Sequence, residues 1–288
     1  MKILLRITIV LAVIIIGTVA FKAGYSHYTW HNLEQAQTGV FTKPPATLPP
    51  TTTTEPTTQA SADTELVPPE KYIIQTLDNT TGTPVGSTVE KADFENSVFI
   101  GDSVSLGFSR YCMRNGKLKE TNFLTVGSYS VASALSMDIS ANKGFSHPMY
   151  NGKETPLKTA LEEIKPKNAF ICLGINDVAI YGVDGTVKNY CKLINMIRKI
   201  NPEVHVYVVS TTLMVDNAQG RNLRNIGIIN LNHNMKQLCE TNENLDYIDI
   251  MSALQSEDFA LNGSYCSDGY IHQSNSAYKI WLEKLGVE

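Results

Sequence analysis

The chain has 288 residues, of which 43% are hydrophobic and 18% are charged, as is typical of a globular protein. Twenty-four lysines and arginines stand against 28 aspartates and glutamates, which gives a net charge of −4. This balance excludes the strongly basic class of nucleic-acid-binding proteins, so we expect no nucleic-acid partner.

Residues 1–36 are predicted to be an N-terminal signal anchor with a juxtamembrane segment. Lys2 and Arg6 precede an apolar run from Ile7 to Phe21, and positive charges on this side hold an N-terminus in the cytoplasm. A cleaved signal peptide has the same basic flank and short apolar core, so this alternative stays open. Either segment places the rest of the chain outside the cytoplasm, on the cell membrane if the segment stays attached and secreted if it is cleaved.

Residues 37–87 are predicted to be a linker or stalk. Threonine and proline dominate this stretch, which includes Pro44-Pro45, Thr51 to Thr54 and Pro68-Pro69. A segment of this composition buries no core and tends to be extended. We therefore expect it to hold residues 88–288 away from a membrane as a separate globular domain.

Predicted strands and helices alternate in the globular part of the chain. The strands are short apolar runs, and the helices carry buried faces or end signals. Five strands cover 97–100, 122–126, 169–173, 204–209 and 245–250, and six helices cover 104–115, 131–139, 156–164, 184–200, 221–239 and 274–285. Such alternation predicts an α/β fold with a five-stranded parallel sheet covered on both faces. Ligands of such sheets bind beyond the carboxyl ends of the strands.

The first polar block, Gly101, Asp102 and Ser103, follows the first strand and opens the first helix. A serine at such a turn is exposed, and the dipole of the helix favours developing negative charge at its N-terminus. Serine is also a common helix N-cap. Taken alone, the block indicates a nucleophile and a cap equally.

Two further blocks follow the second and third strands. Gly127 comes after the second strand, where a turn glycine is ordinary. Gly174, Ile175, Asn176 and Asp177 come after the third. The Asn176 amide can donate a hydrogen bond to an oxyanion, and Gly174 allows a close turn, although Asn-Asp is also a common turn and cap sequence.

A last block lies between the fifth strand and the last helix, where Asp268 precedes His272 by four residues. His272 can take a proton from Ser103 while Asp268 orients the imidazole through its other nitrogen. The other histidines are weaker candidates. Among them, His147 lies in a predicted loop, 142–155, and either lines the cleft or is solvated.

These four blocks occur in the order serine, glycine, asparagine, histidine, each beyond a strand end, and residues 97–285 thereby resemble the SGNH/GDSL hydrolase family. The resemblance implies a flavodoxin-like three-layer α/β/α sandwich. It implies that Ser103 is the nucleophile and His272 the base. The oxyanion hole would consist of the backbone N–H groups of Ser103 and Gly127 with the Asn176 side chain.

The remaining block residues, Asp102, Gly174 and Asp177, are predicted to support this site. The family usually has an aspartate three residues before the histidine, a position that Gly269 occupies here. Two arrangements stay open: a triad completed by Asp268, or a Ser-His dyad assisted by a backbone carbonyl.

The predicted chemistry is attack of Ser103 on an ester and formation of an acyl-enzyme. Transfer of the acyl group to water makes an esterase, and transfer to a glycan hydroxyl makes an acyltransferase with the same residues. No metal or organic cofactor is expected. Export on a stalk, together with the resemblance, favours an acetylated carbohydrate or cell-envelope polymer as the substrate. A non-catalytic wall-binding module is the remaining alternative.

Overall fold

The computed structural model describes residues 65–76, 86–139 and 146–287. The predicted signal anchor, residues 1–36, lies outside this part of the chain, as does most of the predicted linker. No helix within the three described ranges is long and apolar enough to cross a membrane.

Seven strands in the described part of the chain form two sheets. They are β1 (Ser97–Gly101), β2 (Asn122–Thr125), β3 (Met149–Tyr150), β4 (Lys153–Glu154), β5 (Asn168–Cys172), β6 (His205–Val209) and β7 (Leu245–Ile248). Five of them pair in parallel in the order β2-β1-β5-β6-β7. The predicted five-stranded parallel sheet is therefore confirmed. β3 and β4 form a small antiparallel hairpin within the predicted 142–155 loop.

Seven helices accompany the sheet in the described residues. They are α1 (Ser103–Asn115), α2 (Val131–Ala134), α3 (Leu157–Ile164), α4 (Ile175–Ile200), α5 (Asn225–Glu240), α6 (Met251–Leu254) and α7 (Asn275–Lys284). The predicted 131–139 helix ends early, at Ala134. The predicted 184–200 helix begins earlier, at Ile175, because the chain is also helical before Gly182, whose φ of 66° and ψ of −177° break α4.

Apolar side chains attach the helices to both faces of the sheet. Phe99 of β1 contacts Phe108 of α1 and Trp281 of α7, with ring centroids 5.6 and 6.3 Å away. Its neighbours Val98 and Ile100 are fully buried, and they point to the opposite face because side chains alternate along a strand. Helices therefore cover both faces of the sheet, as expected for parallel strands.

The register of the sheet brings three strand ends to one level. Gly101, at the end of β1, pairs with Thr125 of β2 and with Cys172 of β5. Two residues beyond these positions stand Ser103, Gly127 and Gly174. Because parallel strands end at the same edge, three of the predicted blocks meet there.

Residues 65–76, the described end of the predicted linker, are neither helix nor strand and lie against the domain. The Leu66 side chain is only 3% exposed. Its backbone N–H and C=O bond the side chain of Asn195 in α4, at 2.9 and 2.8 Å. This contact differs from the expectation that the linker buries nothing, because helix side chains satisfy its backbone. The domain boundaries themselves stay predictions.

Candidate active site

Ser103 is the first residue of α1, and only Asp102 separates it from the end of β1. The helix is capped by Asp102, whose side chain accepts a hydrogen bond from the Val104 N–H at 2.9 Å. The turn is tight, because a Cβ at Gly101 would come within 2.2 Å of Ser105 Oγ. Ser103 therefore does not serve as the N-cap, and its hydroxyl bonds a distant side chain instead.

That side chain is His272, which lies 169 positions further along the chain. Its Nε2 is 3.0 Å from Ser103 Oγ, within reach for proton transfer. Its Nδ1 is 2.5 Å from Asp268 Oδ2. The three side chains thus form the line of hydroxyl, imidazole and carboxylate that characterises a catalytic triad.

The turn from Asp268 to His272 explains how the unusual spacing is accommodated. Asp268 Oδ1 accepts hydrogen bonds from the backbone N–H groups of Tyr270, Ile271 and His272, at 2.9, 3.1 and 3.2 Å. Gly269 has a φ of 71°, a left-handed conformation that glycine adopts at little cost. The chain therefore curls around one carboxylate oxygen, and the other oxygen is left for the imidazole.

The electrostatic surroundings keep the Asp268 carboxylate ionised. Partial burial raises the pKa of Asp268, but hydrogen bonds from the His272 ring and the Tyr270 N–H outweigh it. The net effect holds the pKa of this carboxyl below its ordinary value. An ionised Asp268 can orient the imidazole and stabilise the imidazolium that forms in catalysis.

Asn176 lies in the first turn of α4, two residues after Gly174. Its Nδ2 donates a hydrogen bond to the backbone carbonyl of Tyr129, at 3.0 Å. Tyr129 itself is two residues beyond Gly127, so this bond connects two of the predicted oxyanion elements. Because an amide nitrogen carries two hydrogens, the bond fixes the side chain and leaves a second hydrogen for an oxyanion.

Gly174 and Gly127, both at this edge of the sheet, differ in whether a larger residue could replace them. Gly174 has a φ of 120°, and a Cβ there would lie 2.5 Å from Leu231 Cδ2 and 2.9 Å from Thr211 Oγ1. Both the backbone conformation and the space therefore require glycine. At Gly127 a Cβ would meet no heavy atom within 4 Å, so its backbone borders open space.

Two buried aspartates, Asp102 and Asp177, accept hydrogen bonds from backbone N–H groups near the site. Burial raises the pKa of the Asp102 carboxyl to about 7, opposed by hydrogen bonds from N–H groups of the first turn of α1. Burial also raises the pKa of Asp177 to about 6, opposed by the N–H groups of Val131 and Ala132, which donate to it at 2.9 and 3.2 Å. Asp177 thereby ties the start of α4 to the start of α2.

His147 is only 2% exposed, so it is not a solvated loop residue. Its backbone N–H donates to Glu154 at 2.8 Å, and its Nε2 lies 3.1 Å from the Asp138 carbonyl. Its ring packs edge-on to Tyr129, with 6.3 Å between centroids. His147 therefore supports the segment whose carbonyl positions Asn176.

Sequence reasoning did not single out three exposed side chains that adjoin the polar blocks along the chain. The aromatic side chains of Tyr181 and Tyr270 are 44% and 43% exposed, and Ile180 is 72% exposed. Tyr270 belongs to the Asp268–His272 turn, and the other two residues follow Asn176 in the first section of α4. Their position beside the polar blocks is the signal that could have found them. Within the described residues, no group of His, Cys, Asp and Glu is arranged as a metal site.

The chain is similar to known proteins. The sequence model of the GDSL-like Lipase/Acylhydrolase family matches residues 99–280, a stretch from β1 to α7 that contains Ser103, Asn176 and His272. No curated protein matches the chain.

Similar solved structures include a GDSL-like lipase from Bacteroides thetaiotaomicron, with 20% identity, 66% of this chain and 84% of that chain covered, and a TM-score of 0.48. A carbohydrate esterase family 3 structure from Talaromyces cellulolyticus has 15% identity, covers 66% of this chain and 94% of that chain, and has a TM-score of 0.45.

Proposed function

Because the chain belongs to the GDSL-like lipase/acylhydrolase family, we propose that it is a serine esterase in which Ser103 is the nucleophile. The observation that carries this proposal is the line from Ser103 through His272 to Asp268, with hydrogen bonds of 3.0 and 2.5 Å. A fold kept only as a binding module has no need of this alignment.

Acylation begins when His272 Nε2 takes the proton of Ser103 Oγ as that oxygen attacks the ester carbonyl carbon. The tetrahedral oxyanion accepts hydrogen bonds from the backbone N–H groups of Ser103 and Gly127 and from Asn176 Nδ2. Each such donor lowers the barrier by about 3 kcal/mol. His272 then passes the proton to the leaving alkoxide, and the acyl group stays on Ser103.

Deacylation repeats these steps with water. His272 takes a proton from the water as its oxygen attacks the acyl-enzyme, and returns a proton to Ser103 Oγ as the carboxylic acid leaves. Asp268 accepts the Nδ1 hydrogen throughout and stabilises the charged imidazole.

The proposed substrate is an ester of a short acyl group, foremost acetyl, on a carbohydrate or cell-envelope polymer. The side chains of His272 and Asp268 are 44% and 35% exposed, and such a shallow site suits an ester that projects from a bulky polymer. The exposed rings of Tyr181 and Tyr270 offer amphipathic contact surfaces beside it. The export predicted from residues 1–36 would place the domain among such polymers, outside the cytoplasm.

Hydrolysis of p-nitrophenyl acetate by the full chain and its Ser103→Ala variant tests the nucleophile. We expect kcat to fall by about 10⁴-fold or more, together with loss of the acyl-enzyme mass. Ser109→Ala is the matched control, because Ser109 lies in the same helix and its hydroxyl bonds only the local Leu106 carbonyl, at 2.9 Å. Equal activity of the Ser103→Ala variant and the unchanged chain would refute the assignment.

Acetylated polysaccharides and esters of longer acyl chains then test the substrate class. Release of free acetate from the polysaccharide supports the esterase proposal. Acetyl transfer that requires an added glycan acceptor would identify an acyltransferase instead. A folded chain with neither hydrolysis nor an acyl-enzyme would favour a binding module.

A further inference from the structure

Five buried asparagines of α4 and α5 share one bonding pattern. Each asparagine forms two hydrogen bonds with the backbone of one residue in another segment. Its side-chain oxygen accepts from the N–H of that residue, and its side-chain nitrogen donates to the C=O of the same residue. The pairs are Asn225 with Met214, Asn232 with Thr211, Asn195 with Leu66, Asn234 with Ile73 and Asn230 with Gln75. Two pairs hold the chain after β6, and three hold residues 66–75.

The three asparagines that bond residues 66–75 are poorly suited to their own helices. Asn195, Asn230 and Asn234 are 9%, 5% and 0% exposed. Asparagine has a low helix propensity, and a buried amide is costly unless its hydrogen bonds are satisfied. Their bonds to residues 66–75 pair both the oxygen and the nitrogen of each side chain. Within the helix, Asn234 Nδ2 also donates to the Asn230 carbonyl at 2.7 Å.

The spacing of the helix matches that of the segment. Asn230 and Asn234 are four residues apart, about 6 Å along a helix axis. Gln75 and Ile73 are two residues apart, about 6.6 Å in an extended chain. The two side chains therefore bond alternate peptide groups, as a neighbouring β-strand does. The intervening Ile74 points outward and is 61% exposed.

We infer that Asn195, Asn230 and Asn234 form a binding site for a polypeptide backbone that is neither helix nor strand, and that its ligand is the chain's own segment 66–75, which bends at Glu70 and Lys71. We refer to these three residues as the asparagine clamp. The clamp recognises conformation more than sequence, because its bonds go to main-chain groups. Leu66, buried at one end, and Gln75, whose amide nitrogen donates to His233 Nε2 at 3.1 Å, add side-chain contacts.

The clamp joins residues 66–75, a part of the predicted linker, to the helices of the folded domain. The inference concerns the α4 and α5 side of the domain and does not depend on ester hydrolysis, so its test is independent of the proposed function.

Limited trypsin digestion of the full chain tests the clamp, because the exposed Lys71 lies in the middle of the bound segment. Lys71 is in an exposed bend, and a protease needs the residues that follow the cut, so cleavage between Lys71 and Tyr72 requires Ile73 and Gln75 to leave Asn234 and Asn230. We expect the Asn230→Ala, Asn234→Ala double variant to be cut there at least about tenfold faster than the unchanged chain. Amide hydrogens of Ile73 and Gln75 should exchange faster by a similar factor.

Two controls separate release of the segment from general unfolding. Gln75→Pro removes an N–H that donates to Asn230 but leaves α5 unchanged, and it should accelerate the same cleavage. Ile74→Ser alters only an outward side chain of the segment and should leave cleavage slow. Equal cleavage of the unchanged chain, Gln75→Pro and the double variant would overturn the inference, as would unprotected Ile73 and Gln75 amides in the unchanged chain.

Discussion

Asp268 Oδ2 lies 2.5 Å from His272 Nδ1, although the spacing of these residues is one longer than in the family pattern. The other carboxylate oxygen accepts three backbone N–H groups of the same short turn. The orientation of the imidazole is thus set locally, and only the approach of His272 to Ser103 depends on the wider fold.

Replacement of Asp268 by asparagine should lower kcat for p-nitrophenyl acetate by about 10³–10⁴-fold, because the imidazole loses the carboxylate that holds its tautomer and balances its charge. The fold should persist, since an amide oxygen can still accept the three N–H groups. Asp246→Asn is the matched control, because Asp246 of β7 forms a second Asp–His pair. Its Oδ2 lies 2.8 Å from Nε2 of His205 in β6. A similar loss in both variants would argue against a specific role for Asp268.

Removal of the Asn176 side chain in an Asn176→Ala variant should lower kcat by about 10²–10³-fold, with a smaller change in KM, because an oxyanion donor acts mainly in the transition state. Asn201→Ala is the control at the opposite end of α4, where Asn201 likewise donates to a backbone carbonyl, that of Pro166, at 2.8 Å. An unchanged kcat in Asn176→Ala would exclude this residue from the oxyanion hole.

Gly174→Ala should lower the free energy of unfolding by about 2–4 kcal/mol, because a φ of 120° is strained for alanine and its Cβ would collide with Leu231 and Thr211. Gly127→Ala, with no heavy atom within 4 Å of the new Cβ, should change stability by about 0.5 kcal/mol or less. Urea unfolding of both variants measures the difference. Similar stabilities would show that the backbone at Gly174 adapts to a side chain.

Burial of Asp102 predicts a particular pH dependence of stability. Desolvation raises the pKa of its carboxyl from 3.8 to about 7 in the folded chain. Between these values the folded state holds a proton that the unfolded chain releases, so stability falls as the pH rises from about 4 to about 7. The fall amounts to about 4 kcal/mol at most, at 1.36 kcal/mol per pKa unit.

Asp102→Asn tests this dependence, because asparagine keeps an oxygen for the helix cap and cannot ionise. Its Tm should exceed that of the unchanged chain by roughly 5–10 °C at pH 8 and by little at pH 4. Asp258→Asn, in an exposed loop, should show no such difference. A Tm gap that is the same at both pH values would refute the explanation.

The sequence predicted the sheet and the polar blocks because both depend on local signals. Buried parallel strands are apolar runs, and the residues after them must turn, as at Gly101 and Gly174. The topology then places those blocks at one edge. The spacing alone does not decide between a triad and a dyad, because it does not show the conformation of Gly269 that brings Asp268 to His272.

Other features escaped prediction because they depend on long-range contacts. Burial of His147 results from packing against Tyr129, and the early end of α2 at Ala134 has no strong stop signal in the sequence. Residues 65–76 follow the Thr- and Pro-rich stretch and include Leu66, Tyr72 and Ile73, but their sequence does not reveal that Asn195, Asn230 and Asn234 complete their hydrogen bonds.

One part of the asparagine clamp lies far from the strand ends that carry Ser103. α4 begins beyond the carboxyl end of β5 and ends at Ile200, shortly before β6 begins at His205, so its last turns lie at the amino edge of the sheet. Asn195 is in these turns, and its side chain accepts a hydrogen bond from the Leu66 N–H. The contact between Asn195 and Leu66 therefore lies at the edge of the sheet opposite to Ser103. The clamp and the proposed chemistry thus occupy opposite edges of the same sheet.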